Sequence, residues 1–326
     1  MTTHQNIRRN MSILSPSETY VPTYPELVEI NIKHERAHWG EREVKLQQDV
    51  EDWKRGNISE TEKKFITTIL RLFTQSDVAV ASDDLDNLIP RIKNNEARNM
   101  LTSFASREGL HQRAYALIGD TLGFGEDFYL EFLSYKEMAD KIEFMLDVDN
   151  TSVKDLAVSI AKQALIEGVG LFAMFAMLMN FTRFGKMGGQ GTVVEWSIKD
   201  ESIHVEGLAA LFRILIAENP HIVTDDFKKT IYETSRELVA LEDAFIELAF
   251  QYGEPEGITK EETKQYIRSV CDYRMMQLGF KEQYSVTNPF EWLDWVTSNE
   301  TQENFFEVNT VNYSKDSTVG DYNDAY

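Results

Sequence analysis

The chain has 326 residues, of which 42% are hydrophobic and 27% are charged, so we expect a globular protein with a sizeable core. Acidic residues outnumber basic ones by 54 to 33, for a net charge of −21. Such a surface repels phosphate backbones and anionic lipids, which argues against nucleic acid or a membrane as the main partner. The single cysteine, Cys271, excludes an intrachain disulfide framework and a cysteine-rich zinc site. No apolar leader follows Met1, so we expect a cytoplasmic protein.

Helical periodicity runs from about residue 25 to about residue 298, and strand-type alternation is scarce, which predicts an all-α fold. The capping box Ser59-x-x-Glu62 marks one helix start. The predicted helices cover residues 59–85, 92–122, 127–146, 152–181, 192–216, 224–252 and 259–278. Residues 1–24 are interpreted as an N-terminal tail, 25–298 as one helical domain, and 299–326 as a flexible, acidic C-terminal tail.

The most apolar segment covers residues 164–181 and contains one charged side chain, Glu167. At 18 residues, it lies at the lower limit of length for a membrane-spanning helix. No second segment of this kind accompanies it. The preferred interpretation is therefore a helix buried on all sides in a helical bundle.

Glutamate stands three residues before four of the six histidines. On a helix, this spacing places a carboxylate and an imidazole on one face, where both can bind the same metal ion. Two of the pairs lack a suitable context. Pro220 interrupts the Glu218/His221 pair and breaks a helix there. The Glu35/His38 pair lies in a charge-rich segment, which favours a solvated face.

The other two pairs, Glu108/His111 and Glu201/His204, lie on largely apolar helix faces. The residues that share these faces are Leu101, Phe104, Tyr115, Ile118 and Leu122 in the first helix, and Val194, Ser197, Leu208 and Leu211 in the second. Because isolated burial of a charge is very unfavourable, ionisable groups on such faces are paired, neutralised or metal-bound. A buried His–Glu pair would account for one such helix, but two such helices favour a metal site.

Two further helices carry carboxylates in apolar surroundings. Glu167 lies in the most apolar helix, and Asp77 lies on the stripe formed by residues 66, 69, 70, 73, 77 and 80. Asp84 shares the face of Asp77, so periodicity alone leaves the two as alternatives. Carboxylates from four helices, with two Glu-x-x-His pairs, predict a ferritin-like helical bundle with a di-metal carboxylate centre in its four-helix core. Oxygen donors with two imidazoles and no thiolate suit iron or manganese.

Six segments together resemble the small, radical-generating subunit of class I ribonucleotide reductase. They are FTQSDVAVA (73–81), SREGLHQRAYALIGD (106–120), ALIEGVGLF (164–172), EWSIKDESIHVEGL (195–208), YIRSVCDYRMMQLGF (266–280) and NPFEWLDW (288–295). The resemblance covers roughly residues 30–315 and favours Asp77 over Asp84. The metal ligands that it implies are Asp77, Glu108, His111, Glu167, Glu201 and His204. It implies two metal ions per chain, with iron expected and manganese–iron or dimanganese centres as alternatives.

The resemblance also implies a path for a radical. Tyr115, one helical turn after His111, would carry the stable radical. Trp39, Asp200 and Tyr313 would pass it, with the help of His111, to a catalytic cysteine on a separate large subunit. The C-terminal tail would contact that large subunit, and the chain itself is expected to form a homodimer. The activity implied is that of a ribonucleoside-diphosphate reductase, which converts ribonucleotides to deoxyribonucleotides.

Ser197 departs from the family pattern, because an aliphatic side chain is expected there, beside the radical tyrosine. Two other functions are compatible with a di-metal bundle. One is metal storage, which needs neither Trp39 nor Asp200 nor a tyrosine-bearing tail. The other is an oxidase or hydroxylase that acts on its own substrate, which needs an open cavity beside the metals.

Overall fold

The computed structural model describes residues 12–16 and 21–296, and these contain helices and loops but no strand. The all-α prediction is confirmed. The described residues divide into two units between Pro289 and Phe290. The described part of the second unit is mainly a 3₁₀ helix, Glu291–Val296. The predicted C-terminal tail lies outside the described residues, as does most of the predicted N-terminal tail. The division into tails and one helical domain stays a prediction.

Ten helices longer than eight residues lie in the described part of the first unit. Numbered along the chain, they are α1 (Pro25–Arg36), α2 (Gln47–Arg55), α3 (Glu60–Asp83), α4 (Asn95–Leu122), α5 (Lys136–Leu146), α6 (Val153–Leu165), α7 (Phe172–Thr182), α8 (Gly188–Glu218), α9 (Asp225–Ala249) and α10 (Lys260–Gln277). Two π-helical turns, Asp84–Leu88 and Ile166–Gly170, follow α3 and α6. Shorter helical segments are Glu41–Glu43, Ile89–Arg91, Glu126–Leu130, Glu131–Ser134, Pro220–Ile222 and Phe250–Tyr252.

Four helical segments enclose the core: α3, α4, α8, and the pair α6 and α7, which the π-helical turn Ile166–Gly170 joins into one segment. α3 packs along α4, α4 along α8, α8 along α6 and α7, and α7 returns to α3. α1 covers α4 and α8, while α9 and α10 cover α6 and α7. The approach of α8 to α4 depends on Gly207, because a Cβ atom there would lie only 2.7 Å from Cζ of Phe104. The ring of four segments creates the buried space into which inward-facing side chains project.

Polar side chains cap the N-termini of several helices, and the capping box at Ser59 is the one that the sequence predicts. Ser59 accepts a hydrogen bond from the N–H of Glu62, whose carboxylate accepts one from the N–H of Ser59. Ser152 and Thr259 form capping boxes of the same kind at α6 and α10. Gly123, with φ of 89°, ends α4 in the left-handed conformation that favours glycine. Local capping therefore fixes the ends of the long helices that supply the core.

Two predicted helices are interrupted. Residues 127–146 form two short helical segments followed by α5, because the chain becomes extended at Tyr135. Residues 152–181 form α6 and α7, separated by the π-helical turn Ile166–Gly170. The two glycines of that turn lower its intrinsic preference for α-helix, and Glu167 lies within it.

The segment Val153–Thr182 is long and apolar enough to cross a membrane, with a window of mean hydropathy 1.8. Within the protein, 94% of that window is buried. This is the environment of a core helix, which is the interpretation that the sequence favours.

The N-terminus of α8 is held by carboxylates of α2. Asp49 is 1% exposed and accepts hydrogen bonds from the N–H groups of Gly189 at 2.8 Å and Gln190 at 2.6 Å. Asp52 accepts one from the N–H of Met187 at 3.0 Å. The first N–H groups of a helix have no partner within the helix, so these two carboxylates act as its cap.

Asp49→Ala should lower the free energy of unfolding by about 2 kcal/mol or more, because two buried N–H groups lose their acceptor. Asp225→Ala is the matched control, since its carboxylate lies in the first turn of α9 but is exposed. Chemical denaturation of both variants provides the comparison. Equal stabilities would show that Asp49 does not hold α8.

Candidate metal centre

The six side chains of the expected ligand set lie together at the centre of the four-helix core. Asp77 comes from α3, Glu108 and His111 from α4, Glu167 from the π-helical turn, and Glu201 and His204 from α8. All six are at most 1% exposed. In each Glu-x-x-His pair, the two side chains lie one helical turn apart on the face that points to the other helices.

The donor atoms of these residues form two overlapping groups. The four-residue group is Glu108, Glu167, Glu201 and His204, and the three-residue group is Asp77, Glu108 and His111. Within each group, one donor atom per residue lies within 4.8 Å of all the others. Glu108 belongs to both groups, so its carboxylate connects the two halves of the site.

Each histidine directs Nδ1 at the carboxylates. His204 Nδ1 lies 3.1 Å from one oxygen of each glutamate in its group. His111 Nδ1 lies 3.3 Å from Glu108 Oε2 and 3.2 Å from Glu201 Oε1. Glu108 and Glu201 therefore each place one oxygen near each of the two histidines.

Most of these carboxylate oxygens lack a hydrogen-bond donor. Apart from the two histidine Nδ1 atoms, no donor among the described residues serves either oxygen of Asp77 or Glu108, Oε2 of Glu167, or Oε1 of Glu201. Unpaired buried polar atoms are rare, because each costs about 1–3 kcal/mol. Two divalent cations would satisfy these oxygens and balance the charge of the four carboxylates. The donor set therefore fits two cations that prefer oxygen and imidazole ligands.

The electrostatics of the cluster favour added positive charge. Burial raises the pKa of Asp77 well above its usual range, and the nearby Glu108 raises it further. Burial would lower the pKa of His204, but Glu201 and the other facing carboxylates raise it well above its usual range. Burial would raise the pKa of Glu108, yet His111 and His204 lower it to about 2. Positive charge among these carboxylates is thus strongly stabilised, as a cation site requires.

Asp84, the alternative to Asp77, is not a member of either group. It is the first residue of the π-helical turn after α3 and is 1% exposed. Its Oδ1 has no hydrogen-bond partner among the described residues. Burial, followed by the charge of Glu167, raises its pKa well above the usual range. Of the two aspartates, Asp77 is the one that lies with Glu108 and His111.

Asp200 joins three donors on the outer side of His111. Its Oδ2 lies 3.0 Å from His111 Nε2 and accepts a hydrogen bond from Trp39 Nε1 at 2.8 Å. Its Oδ1 accepts one from Arg107 Nη1 at 2.6 Å. Because Nδ1 of His111 faces the carboxylates, we assign the ring hydrogen to Nε2, which donates to Asp200. Trp39 also stacks on His111, with ring centroids 5.8 Å apart.

A second histidine, which was not among the sequence candidates, lies on the outer side of His204. His34 Nε2 is 3.1 Å from His204 Nε2, and His34 Nδ1 is 2.7 Å from Ser103 Oγ. Burial, and then the adjacent His204, lower the pKa of His34 to about 2, so the ring is neutral. The sequence offered one signal, because His34 lies at helical spacing from the apolar residues Leu27 and Ile30. In the structure, these three are the buried residues of α1.

A surface cavity of about 760 Å³ opens beside these outer contacts. Its lining includes His34, Trp39, Ser103 and Arg107. The cavity therefore reaches residues that contact the two histidines of the expected ligand set, and none of the six expected ligands lines it.

Tyr115 is fully buried on α4, one helical turn after His111. Its O–H donates a hydrogen bond to Ser197 Oγ at 3.0 Å, and its ring packs against Phe73 with centroids 4.2 Å apart. Burial raises the pKa of the phenol well above its usual value, so the phenol is neutral. Ser197, the residue that departs from the family pattern, is thus the hydrogen-bond partner of Tyr115.

The remaining sequence candidates lie outside the cluster. Both residues of the Glu35/His38 pair and both residues of the Glu218/His221 pair are exposed. Exposure agrees with the interpretation that these two pairs are not metal ligands. Tyr313, the expected last member of the radical path in this chain, lies outside the described residues.

The sequence model of the family described as "Ribonucleotide reductase, small chain" matches residues 17–289. The probable ribonucleoside-diphosphate reductase small subunit of invertebrate iridescent virus 3 is 37% identical, over 97% of this chain and 89% of the viral protein. The ribonucleotide reductase R2 subunit from Clostridium botulinum has a similar fold, with a TM-score of 0.80, 20% identity, and coverage of 88% of this chain and 94% of that chain. The Rnr4 homodimer of ribonucleotide reductase from Saccharomyces cerevisiae gives a TM-score of 0.71, 19% identity, and coverage of 94% and 98%. The chain therefore belongs to the small-chain family of ribonucleotide reductase, which is an oxidoreductase.

Proposed function

We propose that this chain generates and stores a radical at a di-metal centre and passes the radical to the large subunit of a ribonucleoside-diphosphate reductase. The observation that carries the proposal is the overlap of two ligand groups in one buried cluster. Tyr115 lies one helical turn beyond this cluster, and the contacts of His111 with Asp200 and Trp39 lead outward from it.

The six residues of the cluster are the proposed metal ligands. Asp77 and His111 would hold one ion, Glu167 and His204 the other, and Glu108 and Glu201 would contact both. We propose iron for both ions, with manganese–iron and dimanganese centres as the alternatives. When bound, the ions supply the reactivity toward O₂ and the oxidising power that side chains lack. Anomalous scattering at the iron and manganese edges would identify them.

Glu201→Ala should reduce binding from two metal ions per chain to one or none, because Glu201 faces both ligand histidines. Metal analysis after equilibrium dialysis measures the stoichiometry. Glu35→Ala is the matched control, since it changes a glutamate with the same Glu-x-x-His spacing at an exposed position. Two ions bound with unchanged affinity in Glu201→Ala would refute the ligand assignment.

Tyr115 is the proposed radical carrier. Oxidation of a phenol to a neutral radical removes one electron and one proton, and both would pass to the loaded metal-ligand cluster one helical turn away. In the resting state, Ser197 Oγ accepts the phenolic hydrogen. After the phenol has lost that hydrogen, the Ser197 hydroxyl can rotate and donate its own hydrogen to the phenoxyl oxygen. Complete burial against Phe73 keeps reductants away from the ring.

Trp39 and Asp200 are the proposed start of the outward path. Outward passage of the radical requires an electron to move inward, from Trp39 toward Tyr115. One carboxylate oxygen of Asp200, Oδ2, accepts hydrogen bonds from both the indole N–H of Trp39 and Nε2–H of His111. Burial would raise the pKa of this carboxyl, but the hydrogen bond with His111 and the ion pair with Arg107 lower it, so the carboxylate stays charged. These contacts give a continuous connection from the ligand cluster to the cavity beside Trp39.

The partner assignment belongs to the same proposal. Tyr313 is proposed to receive the radical, and the C-terminal tail, residues 299–326, to contact the large subunit; both lie outside the described residues.

A homodimer is proposed for this chain, by analogy with the relative that is described as a homodimer. The net charge of −21 makes nucleic acid or a membrane an unfavourable partner, and a cytoplasmic location is proposed with it.

Two measurements test the function as a whole. After aerobic loading with iron(II), we expect an electron-spin signal of a tyrosyl radical, and nucleotide reduction only after a large subunit is added. A self-sufficient oxidase would turn over an organic substrate with the small chain alone. The cavity near Trp39 offers little support for this, because none of the six proposed metal ligands lines it. A storage protein would accumulate many more than two ions per chain. Either result would replace the proposal.

A further inference from the structure

The π-helical turn Ile166–Gly170, called here the Glu167 turn, receives hydrogen bonds from two other helices. Hydrogen bonds in a π-helix skip one residue more than in an α-helix, which shifts the backbone carbonyls out of the α-helical register. Arg274 Nε of α10 donates to the carbonyl of Gly168 at 3.2 Å. Lys141 Nζ of α5 donates to the carbonyl of Gly170 at 3.0 Å. Both cationic side chains are only 1% exposed.

Arg274 packs directly on the Glu167 turn. A Cβ atom at Gly168 would lie 3.0 Å from Cγ, Cδ and Nε of Arg274, so glycine is what allows this approach. The guanidinium lies over the rings of Phe172 and Tyr273, at 5.0 and 5.1 Å from their centroids. Burial lowers the pKa of Arg274 to about 10, so it remains charged at neutral pH. Its charge is therefore held by aromatic rings and by a backbone carbonyl.

Lys141 reaches the turn as half of a buried ion pair. Its Nζ contacts Oε1 of Glu242, a residue of α9 that is fully buried. The ammonium also lies 4.9 Å from the ring centroid of Phe245. Replacing a buried ion pair with apolar side chains of similar size is often neutral or stabilising. General stability is therefore a weak reason for this pair, whereas the hydrogen bond to Gly170 gives Lys141 a specific task.

We propose that Lys141 and Arg274 are positioning residues that hold the Glu167 turn in its π-helical form and thereby fix the carboxylate of Glu167 against His204. This rests on the proposed function, because it takes Glu167 to be a metal ligand. The carbonyl that Arg274 binds belongs to the residue directly after Glu167. If the turn relaxed to an α-helical register, side chains on one side of it would rotate by about 100° relative to the other side. Glu167 Oε2 would then leave its place 3.1 Å from His204 Nδ1.

The two ligand groups allow this role to be separated from a general effect on folding. Glu167 belongs to the four-residue group and not to the group of Asp77, Glu108 and His111. Loss of the hydrogen bonds to the Glu167 turn should therefore lower the affinity for one metal ion and leave the affinity for the other nearly unchanged. A loss of global stability would instead lower the affinities for both metal ions together.

The test uses the full metal-free chain, titrated with Mn²⁺ alone and followed by calorimetry and electron-spin resonance. One variant combines Lys141→Met with Glu242→Met, which removes both charges and leaves no unpaired charge in the core. A second variant, Arg274→Met, keeps an unbranched apolar side chain against Phe172. In each variant, we expect the affinity for one Mn²⁺ to fall by about tenfold or more and the other to stay within about twofold. Thermal unfolding of the metal-free variants is measured in parallel.

Lys162→Met is the matched control. Lys162 is also a largely buried lysine of this region, with its Nζ 4.2 Å from the ring centroid of Phe144 and bonded to the carbonyl of Asp147, away from the Glu167 turn. Both Mn²⁺ affinities should be retained in it.

Unchanged affinities in both test variants would overturn the positioning role, as would an equal loss at both sites. If one variant does not fold, the other decides by the same criterion, because each removes a different donor. A wild-type chain that fails to bind two Mn²⁺ ions would instead count against the proposed metal centre itself.

Discussion

Tyr115→Phe should bind two metal ions as the wild type does, give no tyrosyl radical signal, and lose nucleotide reduction to background. Phenylalanine fills nearly the same space against Phe73 but has no phenolic hydrogen and is much harder to oxidise. The fold should persist, because the change removes a single hydroxyl, which donates a hydrogen bond to Ser197. Electron-spin resonance after aerobic iron loading, with turnover measured beside an added large subunit, checks both expectations.

Ser197→Ala is the matched control for this variant, because it removes the other end of the same hydrogen bond and keeps the phenol. We expect its radical signal to be present, with g-values changed by the loss of a hydrogen-bond donor to the phenoxyl oxygen. A tyrosyl signal of wild-type intensity in Tyr115→Phe would place the radical on another side chain. A wild-type spectrum in Ser197→Ala would mean that the hydroxyl does not donate to the radical.

Helical periodicity made the core of the site predictable. Residues 108, 111, 201 and 204 share faces with apolar neighbours, and a buried carboxylate on such a face needs a partner. The structure places these faces around one centre because four long helices leave room for inward side chains there. The choice between Asp77 and Asp84 was not predictable from periodicity, since seven residues make nearly two turns and both lie on one face.

Contacts between distant segments were not predictable. The π-helical turn of residues 166–170 accepts hydrogen bonds from donors of α5 and α10, and no local sequence pattern indicates these donors. Lys141 gave no sign of burial, because its partner Glu242 lies far away in the sequence. Arg107 stands beside Glu108 in sequence, yet its role became visible only through its contact with Asp200. Such pairs form when tertiary packing brings two helices together. Residue spacing within one helix does not predict contacts of this kind.

Trp39→Phe should keep both metal ions and the Tyr115 radical, but slow nucleotide reduction by about 100-fold or more, a barrier increase of about 2.7 kcal/mol. Phenylalanine retains an aromatic ring next to His111, where the indole now stacks. It lacks the N–H that donates to Asp200 Oδ2, and it is much harder to oxidise. Asp200 keeps its bonds to His111 and Arg107, so no buried charge is left unpaired and the fold should be preserved.

Trp53→Phe provides the control for this last variant, because it makes the same change at a tryptophan of α2 that packs edge-on against Phe124, with centroids 5.8 Å apart. Radical content and turnover should both be retained in it. If Trp39→Phe turned over at the wild-type rate, the path would have to leave the metal centre elsewhere. If it lost the radical as well as turnover, Trp39 would be needed to form the radical at Tyr115, and a role limited to outward transfer would be wrong. Loss of turnover with a full radical signal is the combination that only a transfer role predicts, because the stored radical then has no route from Tyr115 to the partner.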